Sequence, residues 1–427
     1  MSFSRRGFIK SVAAGSTVCL VGCDTGPSTM DTDGGAACRL PAPTPPPELD
    51  YPAADYFDGV SMDLDAAVIG TPVVFIDMDR VDANIDAIVA GIPSPSSYRI
   101  VVKSLPSLDL LSYVSARSGS QKFLVLHLPF LPALLDAFPS AEVLIGKSHL
   151  TSAVRSFFDS LPVGTDRSAI AARVIFLADN QARLEELVAL AASLGVALRL
   201  AIELDVGLRR SGLSDPSELA PMLDVFLGTV DVEFAGFLGY DGHVPHPPAA
   251  PIGAGHAAGS AATAVYQSYV DILNGPGCEA LASLPDLVFN SGGTSTFPMY
   301  GAGTPVNDVA AGGGVLRPGA YPNHVISTLQ PAIFIATPVL RQYASPALPF
   351  FPPAQNAALF DGLQGLTVYG GGWPAFFTHP AGVQPAPFVF DPNDPSMVPN
   401  QGLVTAPAAT AIDAGDWIFY HPKQSDA

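Results

Sequence analysis

One lysine, Lys103, ends the β-branched run Arg99-Ile-Val-Val, and Pro106 and Ser107 then open an amphipathic stretch of helical spacing. That places its amine at the C-terminal mouth of a buried strand. An amine partly removed from water sheds its proton more readily, and an unprotonated amine forms imines with carbonyl compounds. Strand-end lysines also commonly just reach into water, so the other stretches must decide. Glu203-Leu-Asp205-Val-Gly207-Leu-Arg209-Arg210-Ser-Gly212 puts charged groups at the carboxyl end of a later strand. Gly236-Phe-Leu-Gly239-Tyr240-Asp241-Gly242-His243 ends the next one with an aromatic ring and an imidazole. A neutral imidazole beside a substrate can move a proton, which makes His243 a candidate. Ser291-Gly292-Gly293-Thr294-Ser295-Thr296 follows, and its glycines free backbone N–H groups to surround an anion. Leu316-Arg317-Pro318-Gly319-Ala320-Tyr321 completes the series. Each stretch alone is weak, but their succession on strand ends points to one shared mouth.

The elements that carry them alternate. Strands are expected at Thr71–Asp77, Arg99–Lys103, Phe123–His127, Val143–Gly146, Val174–Ala178, Leu198–Asp205, Glu233–Tyr240 and Leu287–Asn290. A helix is expected around Val81–Ala90, and Gln181–Leu194 is the clearest, with Leu184, Leu187, Val188 and Ala191 on one face. Such units build an α/β fold with a parallel sheet, and their number suits a (β/α)8 TIM barrel over residues 66–328. Barrels of this kind commonly bind phosphate after the seventh and eighth strands, where the Gly292-Gly293-Thr294 stretch falls. Beyond about Thr328 the pattern turns proline-rich, glycine-rich and β-rich without helices, which predicts a C-terminal all-β domain over residues 329–427.

Composition limits the partners. The chain has 427 residues, 48% hydrophobic, and a formal charge of −19, which argues against nucleic acid. Ser4-Arg5-Arg6-Gly7-Phe8-Ile9-Lys10 resembles a twin-arginine export signal, and Leu20-Val21-Gly22-Cys23 resembles a lipobox. The expectation is a lipoprotein signal over 1–23, export from the cytoplasm, and a membrane attachment made only through a lipid on Cys23. Residues 24–65, rich in Thr, Gly and Pro, read as a flexible tether. Cys278 alone of the four cysteines lies in the globular part, so no disulfide framework is expected.

The matching pieces Thr71-Pro…Asp77…Asn84, Lys103, Asp205-Val-Gly207…Arg210-Ser-Gly212, Tyr240-Asp-Gly-His243, Gly292-Gly-Thr294 and Arg317-Pro-Gly319…Tyr321 are shared with a known family. The chain resembles the pyridoxal-phosphate enzymes of the alanine racemase fold type, within them the D-threonine aldolase and D-serine dehydratase group. The resemblance implies pyridoxal 5'-phosphate as cofactor, carried by Lys103, with Tyr240 against its ring. It implies a phosphate held by Ser291, Gly292, Gly293 and Thr294, with Arg210 lining the site, Arg317 facing the pyridine nitrogen and Tyr321 beside it. It also implies a small amino-acid substrate, a D-amino-acid lyase or a racemase, and a possible homodimer. A non-catalytic cofactor-binding lipoprotein is the reading from another class.

The tail departs from the pattern. Where the group has a metal-binding histidine, Gly415-Asp416-Trp-Ile-Phe-Tyr-His421-Pro422-Lys-Gln424-Ser-Asp426 offers Gln424 and keeps only the acidic position, Asp426. An amide oxygen is a poor substitute for imidazole toward zinc, so a divalent metal is doubtful.

Overall fold

The computed structural model describes residues 49–244, 254–300, 303–321, 326–347, 351–370, 373–385 and 401–425, with backbone alone over 254–260. The expected signal at 1–23, the tether up to residue 48 and Asp426 lie outside the described residues.

The first strand, β1 (Val73–Ile76), pairs with a strand late in the chain and takes no part in the barrel. The barrel closes from eight parallel strands in sequence order: β2 (Ser97–Val101), β3 (Lys122–Val125), β4 (Glu142–Ile145), β5 (Val174–Ala178), β6 (Leu198–Glu203), β7 (Val232–Gly239), β8 (Val288–Ser291) and β9 (Asp308–Ala311). Closure is made by β9 against β2, with Tyr98 opposite Val309. The barrel therefore begins one strand later than the sequence predicts, and its last strand is one the sequence reading passed over. Asp308–Ala311 is four residues between glycine-bearing turns, too short a signal for periodicity.

Alternation along each strand divides the barrel interior into levels. The floor is charged. Arg99 Nε and Nη2 bond Asp308 at 2.6 and 3.0 Å, and Nη2 also bonds Glu142 Oε1 at 2.7 Å. Asn290 Nδ2 donates to Asp308 Oδ1 at 2.6 Å. Above it lies an apolar plug that includes Leu124, Leu144, Leu177, Ala201, Leu238 and Ala310. The C-terminal mouth lies above that.

Outer helices are capped as expected. Asp77 accepts from Arg80 N at the start of α2 (Met78–Gly91), and Asn180 accepts from Arg183 N before Gln181–Leu194. Gly195 ends the latter helix in the left-handed region. Asn84 on α2 is fully buried and donates to the Val315 and Gln330 carbonyls while accepting from Gln330 N at 2.7 Å. That clamp fixes the turn that follows β9.

The second compact unit joins residues 53–73 to 336–420. It contains helix α1 (Ala54–Ala66) and most of a sheet built from β10 (Ile333–Tyr343), β11 (Leu363–Tyr369), β12 (Ala375–His379), β13 (Gln384–Pro385), β14 (Gln401–Pro407) and β15 (Trp417–Pro422). The sheet order is β12-β15-β10-β11-β14-β13. Two expectations change here. Residues 54–66 are helix and not tether, because Phe57 finds the rings of His379 and Phe419 at 5.2 and 4.9 Å, partners invisible to any local pattern. A short helix, Pro353–Leu359, also interrupts the expected all-β stretch.

Candidate active site

Lys103 follows Arg99 and Val101 in the inward alternation and sits in a 3-10 turn, Val102–Ser104, directly after β2. It lines a cavity of about 190 Å³ at the mouth of the barrel. Around it stand Arg210 from the loop after β6, Tyr240 from the end of β7, the run Gly292–Thr296 after β8, and Gly312, Gly313 and Tyr321 after β9. Among the described residues the lining holds two cations, Lys103 and Arg210, and no carboxylate, so the cavity suits an anion.

The loop that delivers Arg210 is pinned at its base. Asp205 Oδ1 accepts from Gly207 N at 3.0 Å and from Arg209 N at 2.8 Å. The Arg210 guanidinium then lies over the Tyr240 ring, 5.0 Å from its centroid. Behind them Glu203 is buried, with Ser211 Oγ donating to its Oε1 at 2.5 Å. Burial pushes the Glu203 carboxyl up, against the Ser211 hydrogen bond and the Arg210 charge.

Glycine at two places makes the walls possible. A Cβ on Gly242 would stand 2.5 Å from the Tyr240 ring, and one on Gly312 would stand 2.7 Å from Val101 Cβ. With hydrogen there instead, the Tyr240 ring packs against Gly242 and the turn after β9 closes against the Lys103 turn. Thr294 Oγ1 accepts from Gly314 N at 2.9 Å, which ties the two glycine loops together.

The structure thus gathers Lys103, Arg210, Tyr240, Gly292, Gly293, Thr294 and Tyr321 at one cavity. Three expected residues stand elsewhere. Ser291 is buried under the loop and donates to the Gly239 carbonyl. Arg317 is fully buried with Nη1 on the Pro318 carbonyl at 2.8 Å, so Arg210 and not Arg317 is the arginine that lines the cavity. His243 abuts Gly207, with its Nδ1 buried and without a hydrogen-bond partner among the described residues. Gly312 and Gly313 were missed, although the triple glycine at 312–314 is itself a signal of close backbone approach.

His421 is packed, not open. Its Nε2 lies 2.9 Å from the Arg317 carbonyl, which can only accept, so Nε2 carries the proton and Nδ1 accepts from Tyr51 OH at 2.9 Å. Both ring nitrogens are in use, which removes His421 as a stand-in for the absent metal histidine. Among the described residues no group of three or more His, Cys, Asp or Glu could hold a metal ion. Burial lowers the His421 imidazole from 6.5 to about 4. A depressed histidine contributes stability that is complete above the unfolded value of 6.5 and is lost as pH falls toward 4. The expected loss over that window is up to about 3 kcal/mol, read as a drop in denaturant midpoint that His421→Gln should lack. Parallel decline in both proteins would show that other groups set the acid limit.

Residues 76–269 match the family model for the alanine racemase N-terminal domain. Among solved structures, the chain is similar to the D-threonine aldolase from Filomicrobium marinum, at 16% identity over 83% of this chain and 90% of that one, with a TM-score of 0.61. It is similar to a mutant of D-threo-3-hydroxyaspartate dehydratase in its metal-free form, at 16% identity over 84% and 91%, with a TM-score of 0.62. Alanine racemase from Bacillus anthracis with bound L-Ala-P matches at 15% identity over 82% and 85%, with a TM-score of 0.60. No curated protein matches the chain by sequence. The barrel is therefore an alanine racemase-type barrel accompanied by a β domain, as the resemblance read from the sequence implies.

Proposed function

We propose that the chain is a pyridoxal-phosphate-dependent enzyme acting on a D-amino acid, a lyase of the D-threonine aldolase and D-serine dehydratase kind. The observation that carries this reading is one cavity holding Lys103, Tyr240 and two tied glycine loops, with cations and, among the described residues, no carboxylate in its lining. The residues fit the cofactor. Gly292–Thr296 and Gly312–Gly313 line the cavity, with no room for a Cβ at Gly312 or Gly313, Tyr240 lines it beside them, and Lys103 is the amine that would carry the aldehyde carbon. When bound, the cofactor supplies an electron sink for the bonds at the α-carbon. Lys103, whose amine lines the cavity, would take or return the α-proton. Arg210, stacked on Tyr240 and backed by Glu203, keeps positive charge over the cavity.

Relatives of this kind that depend on metal use the cation to hold the substrate β-hydroxyl and stabilise charge on it. Gln424 stands at the histidine position and His421 is packed, so among the described residues of the tail no imidazole is open for that task. Exchange of the α-hydrogen with deuterated solvent is therefore expected to continue unchanged after chelation, while cleavage or loss at the β-carbon is weak. Assay of a D-amino acid panel with and without chelator separates these outcomes. Racemisation without β-bond cleavage would move the assignment to the racemase side. Stoichiometric zinc or manganese, with turnover lost on chelation and restored by metal, would return the chain to the metal-dependent group. Bound cofactor without any turnover would mean a carrier.

A further inference from the structure

Behind the Gly292–Thr296 loop lies a closed chain of hydroxyls ending on a carboxyl. Asp241 is 2% exposed. Thr296 Oγ1 donates to its Oδ1 at 2.8 Å, and the Tyr300 hydroxyl is hydrogen-bonded to its Oδ2. The Tyr300 hydroxyl also lies 2.8 Å from Ser291 Oγ, and Ser291 donates to the Gly239 carbonyl. Each of these contacts needs one proton. The Gly239 carbonyl has none, so the only hydroxyl proton of Ser291 goes there. The contact between Tyr300 and Ser291 must then use the proton of Tyr300, and the contact to Oδ1 uses that of Thr296. The contact between Tyr300 and Oδ2 has one source left, the carboxyl of Asp241 itself.

We propose that Asp241 is held as a neutral carboxylic acid, and that this proton is what lets the loop after β8 accept a dianionic phosphate. The idea rests on the reading that the cavity takes a phosphorylated cofactor. Asp241 is a positioning residue: it touches Thr296 and Tyr300, not the ligand. Its surroundings agree. Burial raises the Asp241 carboxyl. Tyr300 and Thr296 face it from the segment after β8, and their hydrogen bonds are the main opposition to burial, with a smaller one from His243 on its own loop. Tyr266, from helix Ala254–Leu273, lies near Tyr300 but bonds the Phe237 and Asn290 carbonyls. Ionisation would send the Asp241 proton to solvent and turn the Tyr300 proton toward the carboxylate. The contact between Tyr300 and Ser291 would then lack a proton, and a negative charge would stand behind the anion loop. By reciprocity, anything that favours the proton favours the anion.

Two measurements decide it. Infrared difference spectra of wild type against Asp241→Asn at neutral pH should show a protonated carboxylic C=O band that the variant lacks; in Tyr300→Phe the band should persist but move, its acceptor gone. A carboxylate band alone would overturn the proposal, whatever the cavity binds. Pyridoxal 5'-phosphate affinity should fall with rising pH more steeply in wild type than in Asp241→Asn, by up to about tenfold per pH unit for one linked proton. Asparagine keeps the network, since its amide donates to Tyr300 and its oxygen accepts from Thr296. Pyridoxal without phosphate should show no such difference. Equal slopes in the two proteins would overturn the linkage. If the cofactor binds neither protein, the cofactor reading falls, and inorganic phosphate carries the same comparison.

Discussion

Lys103→Ala should purify colourless, with no adduct that borohydride can trap and with turnover down by at least about three orders of magnitude. The expectation comes from position. Lys103 is the lysine in the cavity lining, it stands directly after β2, and the turn carrying it is closed by Gly312 against Val101. Alanine leaves the turn backbone and the cradle of Gly292–Thr296 intact, so thermal stability should change by no more than about 1 kcal/mol. The variant should therefore still bind phosphorylated pyridoxal, weakly and without the covalent bond. Reducible cofactor retained by Lys103→Ala would break the central assignment, because some other amine would then carry it.

The second large effect is expected at the floor of the barrel, beneath the cavity. Asp308→Ala should destabilise the barrel by about 3–5 kcal/mol, the usual cost of stranding one member of a buried ion pair. Arg99 is fully buried. Burial pushes the Asp308 carboxyl up, but the Arg99 charge and the hydrogen bonds it receives hold it below its usual range. Removing that carboxyl leaves Glu142, at 2.7 Å, as the remaining acidic partner of the guanidinium and frees the amide of Asn290. Glu142 also meets Arg199 at 3.4 Å and is partly exposed, so it cannot compensate in full. Equilibrium unfolding in denaturant reads the loss directly. A loss under about 1 kcal/mol would mean that water or Glu142 replaces Asp308 at little cost. Asn290, whose amide the change releases, also lines the cavity, so cofactor spectra of the surviving folded protein should shift only modestly, with Lys103 still in place.

Legibility followed distance in sequence. Seven barrel strands were visible because each is a compact apolar run, and Gln181–Leu194 was read with its observed bounds because caps and apolar face agree. The site was readable where a residue type and a strand end coincide, as for Lys103, Tyr240 and the Gly292-Gly293-Thr294 loop. Arg317 and Ser291 misled for one reason: strand-end position says that a side chain is near the mouth, not which way it points. Arg317 turns away with φ at 48° and bonds its own neighbours. Asp241 was passed over because its meaning lies in partners 55 and 59 residues on. The helix at 54–66 was lost in the same way, hidden by the proline-rich segment before it.

That helix sets a clock on the molecule. Trp417 Nε1 donates to Asp65 Oδ1 at 2.9 Å across a separation of 352 residues. Phe57 waits as long for Phe419. At ribosomal speeds of roughly 5–20 residues per second, the interval between making Asp65 and making Trp417 is about 20–70 s. Throughout it, the apolar side of an already synthesised helix lacks its aromatic partners. A truncation that stops short of β15 would leave that side permanently without its aromatic partners, so the β unit cannot be removed or completed from one end alone.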